Sequence, residues 1–314
     1  MTAALVGLSH SPLIGKNDPP AHVLEACEGA VATARTFVED FDPELVVLYA
    51  PDHYNGFFYG GMPPFCLATG AISVGDFGST PGPLSVDTEA ARHLAKGTLD
   101  RGIDLTVSAQ MTVDHGMVQP LEQLFGGITD VPVVPVFVNG VATPLGPVSR
   151  IRALGEALGS AAAELDRRVL FIGSGGLSHD PPVPVLEGAP PPVAKALIEG
   201  LSPTPDQRAK GESRVVAAGR AFAADELPSM KALNPEWDNL VLDTLTSGDL
   251  SAVDDWTVEW MAEEGGGSAH EVRSWVAAFA SLSTFGGFDV SHRFYRAVPE
   301  WIAGYAVVTA TSTT

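Results

Sequence analysis

The feature that most limits what this chain can fold into is a series of short apolar runs, each ending in a polar turn that holds Gly or Pro. Ala3–Leu8 runs into Ser9-His10-Ser11-Pro12, and Leu45–Ala50 into Pro51-Asp52-His53-Tyr54-Asn55-Gly56. Val131–Val138 runs into Asn139-Gly140, and Val169–Gly173 into Ser174-Gly175-Gly176-Leu177-Ser178-His179. Runs of this length, rich in Val, Ile and Leu, read as strands covered on both faces, because a half-exposed strand alternates. Tyr305–Thr309 reads as a last strand, and helical stretches fill roughly 21–40, 87–101, 147–166 and 206–225. This alternation predicts an α/β fold: a central mixed sheet flanked by helices, with site loops at the C-terminal ends of the strands.

Residues 180–206 are rich in proline, which blocks helix and ladder alike. They are expected to form a long loop folded over the sheet, with a helical turn around Val193–Glu199, rather than a linker between domains. Residues 206–283 read as mostly helical, broken at Gly265-Gly266-Gly267.

Charge narrows the partners. The chain has 18 Lys+Arg against 38 Asp+Glu, a formal charge of −20, so it lacks the basic surface that nucleic acid requires. No polybasic block is present, and no apolar run approaches the roughly 18 residues of a membrane span, so no membrane partner is expected. The N-terminus has no basic n-region, and Cys27 and Cys66 form no CxxC spacing; both point to the cytoplasm.

Three histidines, His10, His53 and His179, stand just past the ends of these buried strands, where ligand sites of open α/β sheets form. If the strands are parallel neighbours, the three side chains converge. Asp52 or Ser9 could accept the second ring N–H of a ligating His. Glu271 opens a helix whose apolar face is Val272, Trp275, Val276, Phe279 and Leu282. Ser268 and Glu271 match an S-x-x-E capping box, so Glu271 is either a cap or a ligand. As a ligand it would complete a set of two His and one carboxylate, which suits non-haem Fe(II) oxygen chemistry but could also hold Zn²⁺ with a bound water. His115 follows Asp114, which could orient or charge it.

Seven segments together resemble a known family: Ser9–Pro12, Pro51–Phe58, Val113–Gly116, Gly173–His179, Asn234–Asn239, His270-Glu271 with Trp275, and Pro299–Gly304. They are similar to the class III extradiol ring-cleaving dioxygenases, the protocatechuate 4,5-dioxygenase-like group, from about residue 5 to about residue 308. The resemblance implies one dioxygenase domain across 1–314, acting on a small catechol with O₂; a homo-oligomer is expected because intracellular enzymes commonly form symmetric assemblies. It implies Fe(II) on His10, His53 and Glu271, with His179 as base and His115 as acid, the latter supported by Asp114. A propionate arm on the catechol would need a cation or solvent. Arg273 would point away from Glu271, since i and i+2 do not share a helix face, which leaves Arg293 and Arg296 as candidates. Tyr54, Phe57 and Phe58 are candidates for packing the ring, with core packing as the alternative. A zinc hydrolase on the same ligands and a non-catalytic binding protein on the same scaffold are the competing readings.

Overall fold

The computed structural model describes residues 2–200 and 203–313. Leu201 and Ser202 of the expected 180–206 loop, and Met1 and Thr314 at the ends of the expected domain, lie outside the described residues. The first strands are β1 (Ala3–Leu8), β2 (Leu45–Ala50), β3 (Phe65–Ala68), β4 (Ala71–Ser73) and β5 (Gly82–Pro83). There follow β6 (Thr106–Ser108), β7 (Met111–Val113), β8 (Val133–Val138), β9 (Val169–Ser174), β10 (Phe288–Val298) and β11 (Ala303–Ser312). The helices are α1 (Ala21–Phe41), α2 (Thr88–Asp100), α3 (His115–Phe125), α4 (Val148–Ala162) and α5 (Pro191–Glu199), then α6 (Pro205–Ala223), α7 (Pro235–Thr246), α8 (Val258–Gly265) and α9 (Val272–Ser283).

Among the described residues the main sheet has eight strands in the order β10-β11-β1-β9-β2-β8-β3-β6, and β5-β4-β7 form a small second sheet. The centre, β1-β9-β2-β8, is parallel; β11 joins β1 and β3 joins β8 antiparallel, so the sheet is mixed. Successive residues of β1 and β2 enter opposite cores. Leu5, Val47 and Tyr49 pack with α2, α4 and α9, whereas Val6, Leu8 and Leu48 pack with α1 and α3. Burial on both faces is why these strands read as unbroken apolar runs.

The 180–206 segment holds more helix than expected: α5 spans nine residues, starting on Pro191 at a position where proline costs no hydrogen bond. Pro181–Pro184 fold over the strand ends. Among the described residues, no helix is long and apolar enough to cross a membrane.

Helix α9 is buried on every side, between the sheet and α4. Its Trp275 ring lies on Gly7 of β1, where an added Cβ would stand 2.3 Å from the ring. The indole Nε1 donates to Gly175 O at 2.9 Å. A Gly7→Ala chain should therefore lose about 1–3 kcal/mol through overpacking, read as a lower urea midpoint. An unchanged midpoint would show that the ring can shift and that Gly7 does not seat α9.

Candidate active site

Because β1, β9 and β2 are parallel neighbours, the segments leaving their C-terminal ends emerge side by side. His10, His179 and His53 lie on those segments. Glu271 comes from the opposite wall, in the 3₁₀ turn Ala269–Glu271 that leads into α9. Its carboxylate stands 3.4 Å from His10 Nε2, 3.1 Å from His53 Nε2 and 3.1 Å from His179 Nε2. His115, the first residue of α3, completes the cluster, with ring centroids 5.5 Å from His10 and 4.6 Å from His53.

The hydrogen bonds fix which ring nitrogen faces the centre. The Ser174 hydroxyl donates its one proton to Gly116 O at 2.7 Å, so it accepts from His10 Nδ1 at 2.9 Å. His53 Nδ1 donates to Asp114 Oδ2 at 3.1 Å, His179 Nδ1 to Leu177 O at 3.0 Å, and His115 Nδ1 to Asp76 Oδ2 at 2.6 Å. All four rings are tied back through Nδ1 and present Nε2 to one space. In His115 that Nε2 is buried without a hydrogen-bond partner.

These bonds correct three expectations. Asp114 does not orient His115: it holds His53 through Nδ1 and the backbone N–H, and caps α3 through Gly116 N. Asp76, 39 residues before His115, does so instead, gripping both its ring and its backbone N–H. Neither Asp52 nor Ser9 supports a ligand. Asp52 accepts the N–H groups of Asn55, Gly56 and Phe57 in a turn, and Ser9 ties the end of β1 to Gly304 and Ala306. The capping box is not formed: Ser268 makes no side-chain cap, and Glu271 Oε2 accepts from Gly176 N at 2.9 Å. Gly175 permits that approach, since a Cβ there would stand 2.7 Å from Glu271 O. Asp238, buried on α7, fixes the His179 loop by accepting from Ser178 N and Oγ and from Tyr295.

The electrostatics call for a cation. Burial pushes Glu271 up, but the charge of His179 and hydrogen bonds from His179 and His53 outweigh it and hold the carboxyl well below its usual range. Asp114 is likewise ionised: burial opposes, and His53 prevails. Burial lowers His53, yet Asp114 and Glu271 raise it well above its ordinary value; His179 is raised against burial by Glu271. His10, dominated by burial, falls to about 3 and stays neutral. Two buried carboxylates thus recruit protons onto imidazoles. A metal ion at the centre would replace those protons. Facial ligands with bonds of about 2.1 Å stand about 3.0 Å apart, close to the His10–Glu271 and His53–Glu271 separations. The ring nitrogens of His10, His53 and His115 also cluster tightly enough to hold an ion.

A cavity of about 220 Å³ opens over this cluster. Its apolar walls include Leu13, Phe77, Val183, Val215, Trp301 and Ile302. Tyr54 lines it, but Phe57 stacks on Phe137 in the core at 4.0 Å and Phe58 packs against Gly200. Arg293 and Arg296 do not reach it. Both are exposed on β10, where Arg293 pairs with Asp243. Arg273 is buried and donates to Gly146 O, away from the cavity.

An Asp76→Asn chain should keep its metal and lose about 10²-fold in kcat, because an amide beside Nδ1 no longer enforces the tautomer. Asp114→Asn should instead weaken metal binding, through His53. Metal analysis beside steady-state rates checks both, and an Asp76→Asn enzyme with normal kcat would remove Asp76 from the site.

Comparison with known proteins identifies the family. The family model for the catalytic LigB subunit of aromatic ring-opening dioxygenase matches residues 4–307. A protein of Rhodococcus jostii (strain RHA1), named 2,3-dihydroxyphenylpropionate/2,3-dihydroxicinnamic acid 1,2-dioxygenase, is 54% identical over 99% of this chain and 98% of its own. A protein of the same name from Mycolicibacterium smegmatis is 52% identical over 100% of both chains, and one from Xanthobacter autotrophicus is 50% identical over 99% of both. With the family model spanning nearly the whole chain and relatives of this similarity matching it end to end, the chain belongs to the family of catalytic LigB subunits of aromatic ring-opening dioxygenases.

Proposed function

We propose that the chain, as one catalytic domain, cleaves the ring of 3-(2,3-dihydroxyphenyl)propanoate beside its diol. With O₂, both of whose atoms are retained, the product is 2-hydroxy-6-oxonona-2,4-dienedioate. The observation that carries this reading is the cluster itself: three donor groups, His10, His53 and Glu271, faced by two further imidazoles, at the floor of an apolar, ring-sized cavity. The substrate follows from the relatives' names.

The donor set fits Fe(II), held by His10 Nε2, His53 Nε2 and Glu271. Such an ion supplies open positions for a chelating diol and O₂ and lets ring electrons reach the oxygen. The remaining work belongs to the protein. Ser174 and Asp114 hold the two ligand imidazoles in the tautomer that offers Nε2. His179 Nε2 takes a proton from a ring hydroxyl, its Nδ1 fixed by Leu177 O. His115, anchored by Asp76, would as the imidazolium give its Nε2 proton to the oxygen that departs when the O–O bond breaks; that oxygen ends in the product's new carboxylate, so both atoms of O₂ are kept. The apolar wall of Trp301, Ile302 and Pro181–Pro184 limits water around the opened product.

The test is oxygen uptake by anaerobically iron-loaded protein given a panel of catechols. One O₂ per 3-(2,3-dihydroxyphenyl)propanoate, with the absorbance of the ring-opened product, is the expected result. Activity with zinc and no oxygen uptake would establish a hydrolase instead.

A further inference from the structure

We propose that Arg208 binds the carboxylate of the substrate's side chain. This rests on the reading above, that the substrate is a catechol with an ionised arm. Such a substrate enters a chain of net charge −20, so its carboxylate needs a local cation. Among the described residues, neither Lys nor Arg lines the cavity, and the arginines of β10 are turned elsewhere. Arg208 is next to it. Helix α6 reaches the cavity through Val215 and carries Arg208, Glu212 and Val215 on one face, at i, i+4 and i+7. Val215 lines the cavity, and Glu212 accepts from the N–H of Phe77, another lining residue, at 2.9 Å. The Arg208 guanidinium meets the cavity residue Asn55, donating to Oδ1 at 3.5 Å. Asn55 is held the right way round for this, because its Nδ2 donates to Asp114 Oδ2 and His53 O.

Arg208 is also unspent. It is half-buried and forms no ion pair among the described residues, although Glu212 stands one turn on. Four of its five N–H donors remain for a planar anion, and a guanidinium grips a carboxylate through two parallel bonds. Helix stability does not account for an arginine here, since a cation near a helix N-terminus opposes the dipole.

The test compares wild-type and Arg208→Gln holoenzyme on 3-(2,3-dihydroxyphenyl)propanoate and on 3-ethylcatechol, which keeps the ring and lacks the carboxylate. Anaerobic calorimetry gives Kd for both, beside kcat/KM from oxygen uptake. The expected result is a loss of about ten- to hundredfold in kcat/KM and in affinity for the acid alone, with 3-ethylcatechol near wild type and Arg208→Lys recovering part of the loss. Equal losses on both catechols would overturn the proposal and make Arg208 a positioning residue acting through Asn55 on Asp114. No loss on either would remove it altogether. A wild-type enzyme that cleaves neither catechol would overturn the functional reading itself, and this proposal with it.

Discussion

Replacing Glu271 by Gln should strip the site of its metal while leaving the fold in place. The side chain keeps its shape, and the amide oxygen can still accept from Gly176 N. Trp275 continues to seat α9 on Gly7 and Gly175. What is lost is the charge. Among the described residues, Glu271 is the one carboxylate paired with His10, His53 and His179 together, and its ionised form is what draws positive charge into the pocket. With a neutral amide in its place, the ligand set falls to two imidazoles, one of them His10, which stays neutral through burial. Iron per chain should fall to background after dialysis, and oxygen uptake should fall below detection. Thermal stability of the metal-free proteins should stay nearly level, since no cap is broken; a lost cap would cost about 1 kcal/mol. Full iron stoichiometry in Glu271→Gln, with only a lower Tm, would make the residue structural and the ligand set wrong.

The legible and illegible parts of this molecule separate along a physical line. Strands β1, β2, β8 and β9 are buried on both faces, so their sequences are continuous apolar runs that announce themselves. The histidines follow those runs directly, and parallel neighbours carry them to one edge. Strand β10 lies at the sheet edge, with Asp289, Ser291 and Arg293 facing solvent, and this alternation dilutes the apolar signal below that of the buried strands. Helix α3 is hard to read from sequence because it opens on His115-Gly116 and contains Pro120, all weak helix signals. The partners of the site residues are the least visible. Ser174 supports His10 from 164 residues away, and Asp76 supports His115 from a 3₁₀ turn in which Phe77 adopts φ 49°. Adjacency in the chain suggested Asp114 for His115. Yet consecutive residues at a helix start point in different directions, and the N-cap Asp114 turns its side chain toward Gly116 N and across to His53. Pairings made by tertiary contact leave no local pattern to read.

Replacing His115 or His179 by Gln should slow turnover by about 10²–10⁴ and leave iron content near wild type, the range for a lost general acid or base. The two changes should differ in kind. His179 Nε2 stands 3.1 Å from Glu271 Oε1, so its removal also takes a partner from the Glu271 carboxylate. A modest weakening of iron affinity should accompany the loss of rate. Among the described residues His115 Nε2 has no hydrogen-bond partner, and the carboxylate its ring bonds is Asp76, on the Nδ1 side. His115→Gln should therefore leave iron affinity unchanged and fail in the chemistry alone. Single-turnover experiments separate the steps. With His179→Gln, formation of the bound diolate, followed anaerobically by its absorbance, should be slow. With His115→Gln, that phase should be normal, and the block should come after oxygen is admitted. An iron-free His115→Gln protein would place His115 among the metal ligands with His10 and His53, an arrangement their clustered ring nitrogens also permit. In that case the proton delivered late in the reaction would have to come from His179, and the rate should then depend on one histidine rather than two, with a single-limbed pH profile in place of a bell.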